Sequence, residues 1–207
     1  MSLESHWNNI FEKTNDEKLG WWENDISQTL KFLDNLKIDN NSEIFLSGAG
    51  TSLLVDELVK MKCNLVLNDI SEVALKKLKD RLGKVENIDF FKYDLSKKFT
   101  DKNIDIWIDR AVLHFLLDEK DIKIYFENLK TNLKTNLKKD GYVLFAQFRN
   151  GGVTSCANLP IKQYSLNEFS NRLGDDFKLI KSEEFDFINP FDSKKEYIYA
   201  LFQKIKL

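Results

Sequence analysis

The chain has 207 residues, 43% of them hydrophobic and 13% aromatic, which is enough for one sizeable core and an appendage. A formal charge of −2 and a pI near 5.8 exclude the basic stripe of a dedicated nucleic-acid binder. No apolar run approaches the roughly 18 residues of a membrane span, and two cysteines, Cys63 and Cys156, cannot build a disulfide framework or a zinc site.

The opening MSLESHWNN lacks the charged-then-apolar pattern of an export signal. With two thiols expected to stay reduced, this predicts a cytoplasmic protein, and we expect a monomer. Residues 1–40 read as two helices, around Ser2–Lys13 and Asn24–Leu36. Trp7, Trp21 and Trp22 are concentrated here. They either staple this segment to the rest of the chain or roof a pocket. We therefore expect a helical cap or lid over 1–40 and one domain over 41–207.

From residue 43 onward, strand-length apolar runs alternate with helical patterns. The strand candidates are Glu43–Ser47, Asn64–Asn68, Ile88–Phe91, Ile104–Ile108 and Tyr142–Phe148. The helical segments are Ser52–Lys60, Glu72–Leu82, Val112–Leu117 and Glu119–Lys138, with Ser71 as an N-cap and Gly83 as a stop. This alternation predicts an α/β fold, a doubly wound and mainly parallel sheet covered on both faces. Within the longest helical segment, the repeat LKTNLKTNLK sets Leu129, Leu133 and Leu137 on one slowly drifting face, with Lys130, Lys134 and Lys138 as a solvated edge beside it. Ser165-Leu-Asn-Glu168 is a capping box. Two strand-like runs follow, Phe177–Phe185 and Glu196–Gln203, joined through Ile188-Asn-Pro-Phe-Asp192. That join is too short for a helical crossover, so the last two strands should pair antiparallel.

Ligands of such sheets collect at the carboxyl ends of the parallel strands. The first strand candidate runs into Ser47-Gly-Ala-Gly-Thr-Ser52, and Asp69 ends the second, 21 residues after Gly48. A Gly-X-Gly turn and an acid at that spacing suit a ribose-bearing cofactor. Leu53 occupies the place of a dinucleotide fingerprint's third glycine, which counts against a pyrophosphate cofactor. S-adenosylmethionine has no phosphate and does not require that glycine. Asp94 and Leu95, after the third strand candidate, stand where an adenine amine can be read. The fourth ends in Asp109-Arg110 and leads into an apolar turn carrying His114. Asp109 and Arg110 suit either ligand contact or mutual charge relief in the interior, and His114 either chemistry or a satisfied core position.

Taken together, these stretches resemble the class I S-adenosylmethionine-dependent methyltransferases, in the branch that contains the thiopurine and thiol methyltransferases. The resemblance is carried by Trp7-Asn-Asn-Ile-Phe11 with Gly20-Trp-Trp22, Ser47-Gly-Ala-Gly-Thr-Ser52 and Leu67-Asn-Asp-Ile-Ser71. It continues through Tyr93-Asp-Leu95, Ile108-Asp-Arg-Ala-Val-Leu-His-Phe115, Lys139-Asp-Gly-Tyr142 and Leu159-Pro-Ile-Lys-Gln-Tyr-Ser165. It implies a Rossmann-like methyltransferase fold of seven strands ending in an antiparallel hairpin. It also implies that Gly48, Gly50 and Ser52 lie along the methionine part of the cofactor, Asp69 at its ribose, Ile70 against the adenine, and Asp94 with Leu95 at the adenine edge. Trp7 and Trp22 would close over it, and Arg110 would sit between cofactor and substrate. Asp109, Arg110 and His114 are the catalytic candidates, and no metal is expected. Leu46 departs from the resemblance, since an acid usually stands there and Glu43 is too far back to replace it.

A thiol with a pKa near 8.5 is partly ionised at neutral pH and needs no dedicated base, whereas a lysine near 10.4 must first lose a proton. The expected reaction is methyl transfer to a small molecule bearing a thiol or another soft nucleophile, without nucleic acid or membrane as partner. A protein-lysine methyltransferase is the first alternative, because Asp109-Arg-Ala111 also resembles the Asp-Lys-Gly type of turn in such enzymes. A non-catalytic cofactor-binding protein is the second.

Overall fold

A computed structural model describes residues 2–136 and 139–205. The Ser2 hydroxyl accepts from the Ser5 N–H and so caps α1 (Leu3–Lys13), which is followed by α2 (Ser27–Leu33). The alternating part of the chain then forms β1 (Glu43–Ser47), α3 (Leu54–Lys60), β2 (Asn64–Asp69), α4 (Glu72–Leu82), β3 (Ile88–Lys92) and β4 (Ile106–Arg110). It continues with α5 (Glu119–Asn132), β5 (Tyr142–Phe148), α6 (Leu166–Leu173), β6 (Phe177–Ile188) and β7 (Lys194–Lys204).

These seven strands form one sheet in the order β6-β7-β5-β4-β1-β2-β3. β1 lies parallel between β2 and β4, with Ile44 opposite both Leu65 and Ile106. β7 runs antiparallel to β5 and to β6, the expected terminal hairpin. The strand order reverses between β1 and β4, which opens a crevice at their carboxyl ends.

The continuous apolar strands are explained by burial on both faces. Ile44, Leu46, Leu65, Leu67, Ile106 and Ile108 pack with Phe32 and Leu33 of α2 and with Leu54, Val55 and Leu58 of α3. Phe45, Trp107, Val143 and Phe145 point the other way, onto Tyr125 and Leu129 of α5 and Phe169 of α6. Alternate residues of one strand thus serve opposite layers. Each fully buried side chain of this size stabilises the fold by about 1.5–3 kcal/mol.

Several expected helices are shorter than their sequence patterns, among them Asn24–Leu36, of which α2 covers only Ser27–Leu33. Val112–Leu117 holds only a single 3-10 turn, Leu113–Phe115. Ala111 is left-handed at φ 66°, and the Asp109 carboxylate takes the Val112 and Leu113 N–H groups, so the chain turns instead of winding on. The helix expected to reach Lys138 ends at Asn132, because Leu133 is extended (ψ 127°) and bridges Ile104. Lys134 is then no solvated helix edge but pairs with Asp105 at 2.7 Å, largely buried. Leu137 and Lys138 lie outside the described residues. Among the described residues, no helix is long and apolar enough to cross a membrane.

Candidate active site

β1 delivers the chain into a turn at Gly48 (φ 55°) and Gly50 (φ 52°), a backbone conformation that disfavours side chains. A Cβ on Gly48 would lie 2.2 Å from Val112 Cγ2, and one on Gly50 would lie 3.3 Å from the Phe11 ring. The loop is fastened to β2 through Asp69. The Gly50 N–H donates to Asp69 Oδ2 at 2.9 Å, and the Ser71 N–H donates to Oδ1 at 2.8 Å. Burial pushes the Asp69 carboxyl up to about 6, although these backbone donors oppose the shift. Ser52 accepts from the Leu54 N–H at 3.2 Å and so opens α3.

Over this crevice lies an aromatic roof supplied by the N-terminal segment and the turn after β4. The Trp7 ring sits 4.9 Å from Phe115 and 5.4 Å from Trp21, both edge-on. Side-chain hydrogen bonds from its first two turns help hold α1 in place. The Ser71 hydroxyl donates to Asn8 Oδ1 at 2.7 Å, and His6 Nε2 lies 3.0 Å from the Ala157 carbonyl oxygen. At the far end Arg110 Nη2 pairs with Glu23 Oε1 at 2.6 Å, while its guanidinium lies 5.3 Å and 5.4 Å from the Phe187 and Tyr197 ring centres.

The cavity between loop and roof is lined by Trp7, Trp22, Gly48, Gly50, Ser52, Asp69, Ile70, Asp94, Leu95, Arg110 and His114, all of them predicted site residues. Leu46, the departure from the expected acid, lines it too and belongs to the apolar core. Asp109 does not line it. Its carboxylate is fully buried and accepts from Tyr125 Oη (2.5 Å), Gln147 Nε2 (2.7 Å) and two backbone N–H groups. With its lone pairs occupied in this way, Asp109 ties β4, β5 and α5 together and is not placed to meet a ligand. His114 is fully buried, and its Nδ1 lies 3.0 Å from Gln147 Oε1. Burial, chiefly, and then the neighbouring Arg110 cation lower its pKa to about 3, so the imidazole is neutral.

Sequence reasoning missed Glu23, Tyr125 and Gln147. Gln147 had left a signal, a single amide inside the apolar run Tyr142–Phe148, where a buried polar group demands a partner. Glu23 directly follows Trp21-Trp22, but only the folded chain brings it to Arg110.

Residues 46–145 match the family model of a methyltransferase domain. A curated relative, malonyl-[acyl-carrier protein] O-methyltransferase 2 of Ilyobacter polytropus, is 25% identical over 162 residues. That match covers 71% of this chain and 60% of the relative, so the chain spans less than two thirds of the relative's length. Among solved structures, the fold is similar to that of an S-adenosylmethionine-dependent methyltransferase from Anabaena variabilis, with TM-score 0.74 and 13% identity over 97% of this chain and 93% of the other. It is also similar to the N-methyltransferase NodS of Bradyrhizobium japonicum in complex with S-adenosylhomocysteine, with TM-score 0.69 and 14% identity over 96% and 98% of the two chains. The fold is the Rossmann-like methyltransferase fold, and the family match over residues 46–145 is to a methyltransferase domain.

The residues present fit S-adenosylmethionine as a ligand. A carboxylate has about four lone-pair sites, so the two N–H donors on Asp69 leave acceptor capacity for ribose hydroxyls. Missing Cβ atoms at Gly48 and Gly50 leave backbone as the floor beneath Val112 and Phe11. Leu53 packs at the start of α3 against the core, where a phosphate-free ligand makes no demand on it.

Proposed function

We propose that the protein transfers the methyl group of S-adenosylmethionine to a small-molecule acceptor with a soft nucleophile, a thiol above all. The observation that carries this reading is the roof. Trp7, Trp21, Trp22 and Phe115 wall the cavity with aromatic rings, whereas a protein lysine would need an open acidic groove. A malonyl group, named for the curated relative, carries a carboxylate. Here the Arg110 cation is already balanced by Glu23, which disfavours a carboxylate acceptor.

When bound, S-adenosylmethionine supplies a methyl group already activated by its sulfonium. In this reading Gly48, Gly50 and Ser52 lie along the methionine part, Asp69 takes the ribose hydroxyls, and Ile70, Asp94 and Leu95 hold the adenine. Trp7 and Trp22 keep water out, which favours a displacement in which the charge of the sulfonium is dispersed. Arg110 and Glu23 brace the acceptor end, and the chain's main contribution is alignment. The unpaired thiols Cys63 and Cys156 support a reducing cytoplasm as the setting, and we read the working form as a monomer.

Calorimetry with S-adenosylmethionine tests the cofactor part. Binding by the intact protein is expected, and Asp69→Ala should weaken it by about tenfold or more, the loss of a charge-assisted hydrogen-bond pair. No binding by the intact protein would overturn the whole reading. Methyl-labelled cofactor offered with a panel of small thiols beside a cell lysate tests the acceptor. Label confined to protein bands would reject a thiol in favour of a protein lysine, and label nowhere would favour a non-catalytic binding protein.

A further inference from the structure

The orientation of His114 is set by Gln147, which is not among the residues lining the cavity. Gln147 Nε2 donates to the Asp109 backbone carbonyl at 3.2 Å and to Asp109 Oδ1 at 2.7 Å. On its other side Gln147 Oε1 accepts from the His114 backbone N–H at 3.2 Å. A backbone carbonyl only accepts and a backbone N–H only donates, so the two together fix which end of the amide is oxygen. That oxygen lies 3.0 Å from His114 Nδ1. An amide oxygen cannot donate, so Nδ1 must carry the ring proton. Nε2 is then a bare lone pair on the opposite edge of the ring.

This lone pair is buried and has no hydrogen-bond partner among the described residues, and His114 is one of the residues lining the cavity. Phe115 and Phe148, with ring centres 4.2 Å and 4.6 Å from the imidazole, leave the ring little freedom to turn toward another donor. Buried acceptors are rarely left empty in folded proteins. A molecule entering the cavity is therefore the natural source of the missing hydrogen.

We infer that the methyl acceptor is bound as a neutral hydrogen-bond donor, an S–H, N–H or O–H group whose hydrogen is received by His114 Nε2, with Gln147 as the positioning residue for the ring. This rests on the methyl-transfer reading and narrows it. An acceptor already ionised, such as a thiolate or carboxylate, would set a second lone pair against the first. The neutral state imposed by burial and by Arg110 keeps Nε2 open as an acceptor at neutral pH. On transfer the acceptor atom bonds to the methyl carbon as the sulfonium C–S bond breaks, and the acceptor's hydrogen is lost as a proton to solvent on product release. His114 orients the donor and does not retain that proton.

Nitrogen-15 NMR of histidine-labelled protein at pH 7 tests the ring without any ligand. The expected result is the Nδ1–H tautomer at His114, moving toward Nε2–H in Gln147→Leu. An Nε2–H tautomer in the wild type overturns the inference while leaving methyl transfer untouched. The second arm uses wild-type protein saturated with S-adenosylhomocysteine, whose binding independently reports on the cofactor reading. Benzyl mercaptan, phenol and aniline are titrated in turn, each beside its donor-free methylated counterpart. At least one donor should move the His114 Nε2 resonance and bind at least tenfold more tightly than its counterpart. No Nε2 shift with any of the three, or equal affinity within every pair, overturns the inference. This arm needs no variant, so it stands even where Gln147→Leu fails to fold.

Discussion

Arg110 Nη2 and Glu23 Oε1 meet at 2.6 Å, which joins the carboxyl end of β4 to the chain just after the roof tryptophans. Both side chains are nearly buried, at 10% and 6% exposure, and burial raises the Glu23 carboxyl despite the neighbouring cation. Glu23→Gln would leave Arg110 without its counter-ion. Removing one partner of a buried pair costs about 3–5 kcal/mol. A clear drop in the thermal midpoint is expected, and an unchanged midpoint would show that the pair holds nothing together.

Asp69 links stability to pH, and under the proposed reading it links cofactor binding to pH in the opposite sense. Its folded pKa is raised from 3.8 to about 6 by burial. The stability this contributes is fully present below pH 4 and is lost as pH rises through 6, a change of about 3 kcal/mol at about 1.4 kcal/mol per unit. Urea unfolding of the free protein should register that decline between pH 4 and 7, and Asp69→Asn should flatten it. Ribose hydroxyls favour the carboxylate, so affinity for S-adenosylmethionine should rise through the same window. Calorimetry at pH 5 and pH 8 checks the second half.

Gly48→Ala and Gly83→Ala separate crowding from backbone strain. Both positions are left-handed, at φ 55° and 67°. A Cβ at Gly48 meets Val112 Cγ2 at 2.2 Å, whereas nothing lies within 4 Å at Gly83. Each change carries about 1–2 kcal/mol for the backbone, and Gly48→Ala adds about 1–3 kcal/mol of overpacking. S-adenosylmethionine affinity should fall by about tenfold or more only in Gly48→Ala, since about 1.4 kcal/mol is a factor of ten.

Tyr125→Phe probes the support beneath the site. It removes the hydroxyl that donates to Asp109 at 2.5 Å and accepts from Trp107 Nε1 at 3.1 Å. Unsatisfied buried partners cost about 1–3 kcal/mol. Denaturant unfolding should register the loss while cofactor affinity stays within about twofold of wild type, because Tyr125 does not line the cavity.

The parallel strands were legible because burial on both faces writes itself as uninterrupted apolar runs, as in Ile44-Phe-Leu46. The terminal hairpin was legible because five residues cannot contain a crossover helix. Asp69 could be placed from its distance to Gly48. What escaped depends on distant partners. The four-residue repeat continues past Asn132, yet the helix does not, because the Asn132 side chain is taken by Phe99 O (3.1 Å) and Lys102 N (3.0 Å) in a loop 30 residues earlier. Asp109 carried the residue type of a catalytic acid, and only the inward course of β4 reveals it as a junction.

His6 reaches an oxygen 151 positions further along the chain, and Asn8 reaches Ser71 across 63. Contacts of such separation carry a loop-closure cost that local pairing does not. The roof should therefore be completed late in folding, after the turn bearing Ala157 is laid against the sheet, although its own residues are synthesised before it. Reversing that order on opening, α1 amides should exchange with solvent ahead of those in β1 and β4. A hydrogen-exchange time course would then find that the cavity uncovers while the sheet beneath it remains closed.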